Sequence, residues 1–336
     1  MSPIVRTGLI GCGRIAARHI RWLLERPDCE IRALCDTSQE ALQGRLALAQ
    51  DIRPRSDVVV ETDYRAVLSS PELDGVAILL PHHLHYPVAK AALEAGKHVL
   101  LEKPMVTQAA HARDLIQTAE HAGRLLAIAY QRSYLPEYVY VRRMIKNGEL
   151  GTIRFISAHL EQSWFRPARP FAHESDWRRD PSQAGGGQLV DTGSHTLAAM
   201  LDVSQLVPDE VFAYVDNCGL DVDVNTAMVV RFAEGAIASV SIGGFGHRVT
   251  EVLRIVGDKV SARIFFRTVK ERSLEVNGEM IDAPSIIPRS NPDANFVEAM
   301  LGKSLVSATG ELGLRVAQLS EAAYLSAREH RPVKLT

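Results

Sequence analysis

The stretch Gly11-Cys12-Gly13-Arg14-Ile15-Ala16 directly follows a short apolar run at residues 4–10 and opens a helical pattern over residues 15–24. In a strand–turn–helix of this kind, the first glycine permits a tight turn, and the second lets the backbone approach a pyrophosphate. The alanine keeps the helix close to the sheet, while the helix N-terminus supplies amide donors and the positive end of its dipole. The stretch therefore predicts a dinucleotide-binding turn.

Asp36 ends the second predicted strand, residues 30–35, and stands 20 residues after Ala16. A carboxylate at this place can accept hydrogen bonds from both hydroxyls of an adenosine ribose. It would also repel a 2′-phosphate, and neither Thr37 nor Ser38 offers a compensating cation. The sequence therefore favours NAD over NADP, with Asp36 and Thr37 at the cofactor; the alternative for Asp36 is an acid at the start of a helix.

The first part of the chain alternates short β-rich runs with helical patterns. Strands separated by helices imply crossover connections and a mostly parallel sheet covered on both faces. We therefore expect a doubly wound Rossmann domain over residues 1–129. Its predicted strands are residues 4–10, 30–35, 58–60, 76–80, 98–101 and 125–129.

Beyond residue 130, alternating patterns and hairpin dipeptides such as Glu234-Gly235 and Asn277-Gly278 replace the strand–helix rhythm. They predict an α+β domain over residues 130–336 with a large open, mainly antiparallel sheet. A rather apolar face of that sheet would suit a second subunit, so we expect a homodimer or homotetramer. The C-terminal helices are expected to pack back on the first domain. The predicted strands are residues 153–159, 211–216, 227–232, 237–242, 252–256 and 262–266.

The composition of the 336 residues is that of a globular protein, with 46% hydrophobic and 23% charged residues. The net charge of −2 gives no reason to expect nucleic acid or an acidic membrane as a partner. No run approaches the roughly 20 apolar residues of a membrane span, and the first residues do not have the pattern of a signal peptide. The four cysteines have no metal-ligand spacing. We expect a cytoplasmic protein without a metal site.

Glu102 and Lys103 form a charged pair at the end of the apolar run 98–101 and are followed by Pro104. The carboxyl end of a buried strand in an open α/β sheet lies on the rim of the ligand crevice. A lysine there can orient a substrate hydroxyl or exchange a proton. The alternative is a surface salt bridge between Glu102 and Lys103.

Asp191 and His195 follow three glycines at residues 185–187. The glycines let the chain approach a ligand closely, and the spacing of four predicts both side chains on one face of a helix. A histidine near neutral pKa can take the proton of an alcohol as hydride leaves carbon, while Asp191 orients the substrate or tunes the base. The alternative is a hydrogen-bonded histidine of the core.

These motifs, in this order, resemble the glucose–fructose oxidoreductase, inositol dehydrogenase and MocA (Gfo/Idh/MocA) family. The resemblance covers nearly the whole chain and implies a Rossmann domain, an open antiparallel sheet and an active site between them. It also implies oxidation or reduction of sugars, sugar derivatives or cyclitols with NAD(P). The matching stretches are Gly11-Cys12-Gly13-Arg14-Ile15-Ala16, Ala95-Gly96-Lys97-His98-Val99, Glu102-Lys103-Pro104, Asn147-Gly148-Glu149-Leu150-Gly151 and Gly185-Gly186-Gly187-Gln188-Leu189-Val190-Asp191-Thr192-Gly193-Ser194-His195.

The resemblance implies that Lys103, Asp191 and His195 form the catalytic group and also contact substrate. Many members carry another acid three residues after the histidine, where this chain has Ala198. This departure leaves the proposed base in place and affects substrate contacts only.

Three histidines at 82, 83 and 85 invite a metal hypothesis, but no carboxylate or cysteine stands nearby in sequence to complete a site. In the resembling family this segment is the loop on the nicotinamide side. We therefore assign part of it to the cofactor, with His85 lining the cofactor pocket and either His82 or His83 solvated. The assigned residues here and at neighbouring strand ends are Pro81, His82, His85, Glu102, Lys103 and Gln131.

The expected substrate contacts outside the catalytic group are Arg132, Trp164 and Trp177. Sugar sites use aromatic faces against C–H surfaces and polar forks against hydroxyls, and the alternative is that both tryptophans are packing residues. Residues 166–187 form a long polar loop, and such loops are more often functional than accidental. Arginines in or beside it favour an acidic or phosphorylated substrate or are simply solvated; they are Arg166, Arg169, Arg178 and Arg179.

The pattern as a whole predicts an NAD-dependent dehydrogenase or reductase that acts on a secondary alcohol of a sugar, sugar derivative or cyclitol. One alternative is a glycoside-cleaving enzyme that uses a transient oxidation while NAD stays bound. The other is a non-catalytic NAD-binding regulator, since one branch of the resembling family represses transcription by protein binding. Such a regulator would have no need of Lys103, Asp191 and His195 together.

Overall fold

The computed structural model describes residues 3–55, 57–165 and 177–335. The chain divides into two compact units. The first contains residues 1–106, 110–129 and 290–311, and the second contains residues 107–109, 130–289 and 312–336.

The first unit is built on a six-stranded parallel sheet with the strand order β3-β2-β1-β4-β5-β6. This is the order of a doubly wound dinucleotide-binding fold, so the predicted Rossmann architecture is confirmed. The strands are β1 (Val5–Ile10), β2 (Cys29–Cys35), β3 (Val59–Glu61), β4 (Gly75–Ile78), β5 (His98–Leu101) and β6 (Leu126–Ile128).

The helices that follow these strands are α1 (Ala16–Leu24), α2 (Gln39–Ile52), α3 (Tyr64–Leu68), α4 (His82–Glu94) and α5 (Ala109–Ala122). Ser38 caps α2, because its hydroxyl accepts the Ala41 N–H at 3.2 Å. The sequence pattern predicts this fourth helix over Tyr86–Ala95, and the predicted start is wrong, since α4 already begins at His82. His82 and His85 are three residues apart and both buried, a helical pairing that a search for aliphatic periodicity does not register.

The second unit is built on a nine-stranded sheet with the order β14-β13-β12-β11-β7-β10-β9-β8-β15. Only the β7–β10 pair among these is parallel, so the predicted open, mainly antiparallel sheet is confirmed. The strands are β7 (Ile153–Ser163), β8 (Pro208–Asp216), β9 (Asn225–Phe232), β10 (Ile237–Gly243), β11 (Phe245–Gly257), β12 (Ser261–Phe266), β13 (Arg272–Val276), β14 (Glu279–Ile281) and β15 (Val333–Lys334).

The sequence analysis missed β13 and β14, although it found the turn between them. In β13 only Leu274 is buried, so the strand shows no hydrophobic alternation. Asn277 and Gly278 form the turn with φ of 49° and 90°, as a two-residue hairpin of type I′ requires.

The remaining helices are α6 (Pro136–Lys146), α7 (Pro181–Ala184), α8 (Gln188–Asp191), α9 (Gly193–Ser204), α10 (Ala283–Ile286), α11 (Pro292–Met300) and α12 (Gly310–Glu329). Short 3-10 helices occupy Gln131–Tyr134 and Trp177–Arg179. Helix α11 belongs to the first unit, where Phe296 joins the buried cluster around Leu9, Leu34, Leu42 and Leu100. In the part of the chain that the structure describes, no helix has the length and apolarity to cross a membrane.

Candidate functional site

The glycine turn after β1 needs its first glycine for steric reasons and keeps its second open to a ligand. Gly11 has a φ of +101°, and a Cβ there would lie closer than 3.0 Å to the Leu79 carbonyl oxygen. At Gly13, no atom of the described residues lies within 4 Å of the position that a Cβ would take. No side chain of the described residues caps α1, and the Ala16 and Arg18 amides donate to the backbone carbonyls of Gly13 and Ile15, at 3.2 and 2.9 Å. The positive end of the helix dipole at this turn still favours an anion. The turn fits the pyrophosphate of a dinucleotide.

Asp36, at the carboxyl end of β2, holds this turn in place. Its Oδ2 accepts the Cys12 N–H at 2.7 Å, and its Oδ1 accepts the Ser38 N–H at 2.8 Å. Each carboxylate oxygen has a second acceptor position, so ribose hydroxyls can still bind. Sequence analysis missed Arg45, whose exposed guanidinium donates to the Gly13 carbonyl at 3.1 Å. Charge at this edge of the site therefore comes from Arg45 as well as from Asp36.

The segment 81–85 forms the start of α4 rather than a loop. Pro81 stands at its N-cap, His82 is buried, and His83 is exposed. His85 is completely buried, and its Nδ1 and Nε2 lie 2.7 Å from the Pro104 carbonyl oxygen and 2.8 Å from the Leu80 carbonyl oxygen. Burial lowers the pKa of His85, and the neutral ring donates to one carbonyl at a time. His85 therefore ties the turn after β5 to the start of α4.

Glu102 and Lys103 lie directly beyond β5, at the carboxyl edge of the sheet where the glycine turn also lies. Lys103 is partly exposed, while the Glu102 carboxylate is mostly buried. Glu102 Oε2 accepts the backbone N–H of Lys103 at 2.9 Å, and Oε1 lies 3.1 Å from Nε2 of His19. The Glu102 side chain therefore contacts the backbone of Lys103 and a buried histidine. These two contacts differ from the surface salt bridge with the Lys103 side chain that the sequence offered as the alternative.

In the second unit, the glycines at 185–187 are packed against the chain itself, which corrects their predicted role in approaching a ligand. A Cβ at Gly185 would collide with Thr107, one at Gly186 with Tyr324, and one at Gly187 with the Asp223 backbone. The Asp223 carboxylate also accepts the N–H groups of Gly187 and Leu189, at 2.6 and 2.8 Å. The glycines make room for these partners, which lie far away in sequence and fix the segment leading to α8.

Asp191 and His195 do not share one continuous helix, as their spacing predicted. Asp191 ends α8 and His195 lies in the first turn of α9, with Thr192 between the two helices. A Cβ at Gly193 would meet the Ile242 side chain at 2.7 Å, so the chain approaches the sheet too closely at this place for an ordinary helix residue. The His195 ring packs edge-on against Tyr130, with 6.3 Å between ring centroids.

Asp191 is buried and has two partners that sequence analysis had placed against the substrate or the solvent. Its Oδ2 accepts the indole N–H of Trp164 at 3.0 Å and the Nε–H of Arg178 at 3.2 Å. The Arg178 guanidinium also lies over the Trp177 ring, 4.3 Å from its centroid. Trp164 is buried and Trp177 is half-buried. The carboxylate is therefore fixed by an indole and a cation; Arg166 and Arg169 lie outside the described residues.

Arg132 is buried and paired with Glu251, which sequence analysis missed. Its Nη2 lies 3.0 Å from Glu251 Oε2, and its guanidinium carbon is 4.2 Å from the centroid of the Phe266 ring. Glu251 also accepts the Tyr138 hydroxyl at 2.9 Å and the Thr196 hydroxyl at 3.3 Å. Gln131 is buried in the same 3-10 helix. Nothing in the sequence marks Glu251, because it is 119 residues from Arg132.

Metal ligands are not gathered in either unit: among the described residues, no three side chains of His, Cys, Asp or Glu are grouped so that they could hold a metal ion.

Comparison with known proteins identifies both units. Residues 5–130 match the model of an oxidoreductase family with an NAD-binding Rossmann fold, and residues 138–263 match the model of the GFO/IDH/MocA C-terminal domain. The chain belongs to the Gfo/Idh/MocA family. It is thus an oxidoreductase of a family that acts on sugars and cyclitols, and it has the dinucleotide-binding fold of that family.

Individual Gfo/Idh/MocA proteins resemble the chain along most of its length. D-glucoside 3-dehydrogenase of Escherichia coli is 27% identical over 364 residues, which cover 99% of this chain and 98% of that protein. D-xylose 1-dehydrogenase (NADP(+)) of Hypocrea jecorina is 29% identical over 312 residues, which cover 83% and 78%. The crystal structure of the WlbA dehydrogenase from Bordetella pertussis, in complex with NADH and UDP-GlcNAcA, has a TM-score of 0.85 at 24% identity and covers 100% of this chain and 99% of that one.

Proposed function

We propose that this protein is an NAD-dependent dehydrogenase or reductase that acts on a secondary alcohol or ketone of a sugar, sugar derivative or cyclitol. One observation carries the proposal. The open glycine turn, Asp36 and Lys103 follow β1, β2 and β5, and the carboxyl ends of parallel strands meet at one edge of the sheet. Ligands of open α/β sheets bind at this edge.

In this proposal the chain's own residues bind the substrate and move its proton. His195 takes the hydroxyl proton on oxidation and returns it on reduction. Lys103 binds and polarises a substrate oxygen. Asp191, held by Trp164 and Arg178, positions a substrate hydroxyl. The hydride chemistry would be supplied by a nicotinamide cofactor, held at the glycine turn when it is bound.

We propose NAD as the preferred cofactor because of Asp36. A carboxylate fixed beside the adenosine ribose would repel a 2′-phosphate at close range. Arg45 is the opposing consideration, since its exposed guanidinium lies at the same turn, and the Hypocrea relative is named for NADP. We expect the Asp36 carboxylate to determine the preference for NAD over NADP, because it is anchored by two backbone amides, at 2.7 and 2.8 Å. The Arg45 guanidinium, by contrast, makes a solvent-exposed hydrogen bond, so its charge is screened.

The names of the relatives support a substrate with a ring of hydroxyl groups. The Escherichia coli relative is named for D-glucosides, and another is named as an inositol 2-dehydrogenase/D-chiro-inositol 3-dehydrogenase. In the chain itself, Trp177 is half-buried beside Arg178 and Asp191. An aromatic face next to a hydrogen-bonding carboxylate suits a molecule with C–H surfaces and hydroxyl edges.

We also propose that a second copy of this chain covers the open face of the nine-stranded sheet. Along β9, buried residues alternate with more exposed ones, and the open face carries several large exposed apolar side chains among polar ones such as Arg231 and Ser239. Tyr214 is 64% exposed, Val229 50%, and Phe155 and Ile237 42% each. Ile237 is the register partner of Phe155, so their side chains lie on the same face. An apolar patch of this kind is typical of an interface between subunits.

The proposal is tested with the purified protein by following reduced nicotinamide while polyols, hexoses, glucosides and uronates are offered with NAD or NADP. We expect turnover with at least one ring alcohol and a preference for NAD. His195→Ala and Lys103→Met should lower kcat by at least about a hundredfold and change the Kd for NAD by less than about threefold. Unchanged turnover of His195→Ala would overturn the assignment of the base, and absence of NAD binding would overturn the function as a whole.

A further inference from the structure

A buried cluster of ionisable groups in the first unit is not part of the proposed chemistry. His19, on α1, lies between two carboxyl groups: its Nε2 is 3.1 Å from Oε1 of Glu102, and its Nδ1 is 2.9 Å from Oδ1 of Asp293 on α11. The side chains of His19 and Asp293 are at most 1% exposed, and that of Glu102 is 14% exposed. Three ionisable groups buried together cost desolvation energy, so the cluster is weak evidence of stabilisation by itself.

The charges of the cluster are set by its geometry. Burial would lower the pKa of His19, but Asp293 and Glu102 outweigh it and raise the pKa to about 10. Burial would raise the pKa of Glu102, but the hydrogen bond and charge of His19 lower it, together with Lys103. The imidazolium therefore donates from both nitrogens, and Glu102 stays ionised. The charge of Asp293 also acts on the Cys29 thiol, and the charge of Glu102 acts on His85.

The Glu102 carboxylate connects this cluster to Lys103. While Oε1 faces His19, Oε2 accepts the backbone N–H of Lys103 at 2.9 Å. On the other side of the lysine, the Pro104 carbonyl oxygen lies 2.7 Å from Nδ1 of His85. The backbone of Lys103 is thus held from both flanking residues by buried imidazoles. A flexible side chain with four methylene groups acts at a defined place only when its backbone is fixed.

We propose that His19 and Asp293 are positioning residues for Lys103. They hold the Glu102 carboxylate in the one orientation that binds the Lys103 amide, and they tie the lysine to α1, the helix that the glycine turn opens. The inference rests on the proposed function, in which Lys103 binds the substrate oxygen. His19 and Asp293 themselves do not touch the reacting groups.

The kinetic test compares Asp293→Asn and His19→Gln with a variant that disturbs the same strand at its other end. Lys97 precedes β5, and its Nζ donates to the carbonyls of Ser70 and Leu73 at 2.5 and 2.9 Å, so Lys97→Met removes buried hydrogen bonds without reaching Lys103. We expect the two network variants to lower kcat by about ten- to a hundredfold with the KM for NAD changed less than about threefold. Lys97→Met should lower the melting temperature and leave kcat within about threefold of wild type.

Rescue separates positioning from mere structural support. Glu102→Gln retains one acceptor oxygen, which can bind either the Lys103 amide or the His19 N–H, whereas Glu102→Ala retains none, so the glutamine variant should keep more of the wild-type kcat than the alanine variant. The proposal would be overturned if the loss of kcat were proportional to the fall in melting temperature across all five variants. These are Asp293→Asn, His19→Gln, Lys97→Met, Glu102→Gln and Glu102→Ala. An unchanged kcat in Asp293→Asn would overturn the proposal as well.

A second measurement does not depend on activity. Amide hydrogen exchange of the full chain reports directly on the Lys103 N–H, which should be protected in wild type and in Lys97→Met. It should exchange at least about tenfold faster in His19→Gln and Asp293→Asn. If the Lys103 amide exchanged at the same rate in all variants, the proposed link from His19 and Asp293 to Lys103 would be overturned. If the two network variants expose the Lys103 amide to exchange but no substrate is found, the proposed function fails, whereas the structural link between His19, Asp293 and Lys103 stands.

Discussion

Removing Glu251 should destabilise the second unit far more than removing an exposed carboxylate from the same sheet. The Arg132 and Glu251 side chains are 8% and 1% exposed. The carboxylate is bound by the guanidinium, the Tyr138 hydroxyl and the Thr196 hydroxyl. Glu251→Ala leaves the guanidinium buried without its counter-charge, and losses of this kind are about 3–5 kcal/mol. The matched control is Glu275→Ala, because Glu275 pairs with Arg263 in an ion pair whose side chains are 29% and 55% exposed, and exposed pairs contribute about 0–1 kcal/mol.

Urea unfolding followed by tryptophan fluorescence is a suitable assay, since the buried Trp164 lies in the second unit. With a slope of about 2–3 kcal/mol per molar urea, the midpoint should fall by about 1–2 M in Glu251→Ala and by less than about 0.5 M in Glu275→Ala. The double variant with Arg132→Met and Glu251→Leu removes both charges and should recover part of the loss. Equal midpoints of Glu251→Ala and Glu275→Ala would refute the reasoning from burial. A double variant as unstable as Glu251→Ala would show that packing, not the uncompensated charge, causes the loss.

Three further outcomes follow from the two units. Gly11→Ala should lower the melting temperature by several degrees, because the new Cβ meets the Leu79 carbonyl. Gly13→Ala should keep the wild-type melting temperature but bind NAD at least about tenfold more weakly, as measured by calorimetry. Asp36→Asn, which retains one acceptor, should lower the NAD-to-NADP ratio of kcat/KM by about tenfold or more, and an unchanged ratio would contradict its role in selecting NAD. Ile237→Arg should weaken self-association in sedimentation velocity by at least about tenfold, while the same change at the exposed Leu305 of the first unit should not.

The fold could be predicted from the sequence wherever the structure-forming signal is local. The glycine turn and the hairpin at Asn277 each depend on a few adjacent residues, and both were found. Strand β13 was missed because it has only one buried residue, Leu274, and a strand without hydrophobic alternation has no local signature. The start of α4 was missed for a similar reason, since its buried face consists of histidines.

The candidate site was less predictable because its contacts join residues that are distant in sequence. Asp191 could be selected from its motif, but its partner Trp164 is 27 residues away. His19 has no motif, and its partner Asp293 is 274 residues away. The glycines at 185–187 show the limit of motif reasoning: the sequence correctly indicates a close approach, but whether a ligand or Tyr324 approaches depends on the tertiary structure.

A common arrangement connects the residues on which the proposed chemistry depends. Glu102 fixes the backbone of Lys103, and Asp191 is fixed by Trp164 and Arg178, so in both units a carboxylate with little exposure sets the geometry. Burying such carboxylates costs more than hydrophobic packing of the same volume would. Directional hydrogen bonds, however, define one orientation, whereas apolar contacts tolerate several. A reaction that requires a proton and a hydride to leave adjacent atoms together needs that single orientation. This gives a physical reason why Glu102 and Asp191 of this chain are held by polar partners rather than by apolar packing alone.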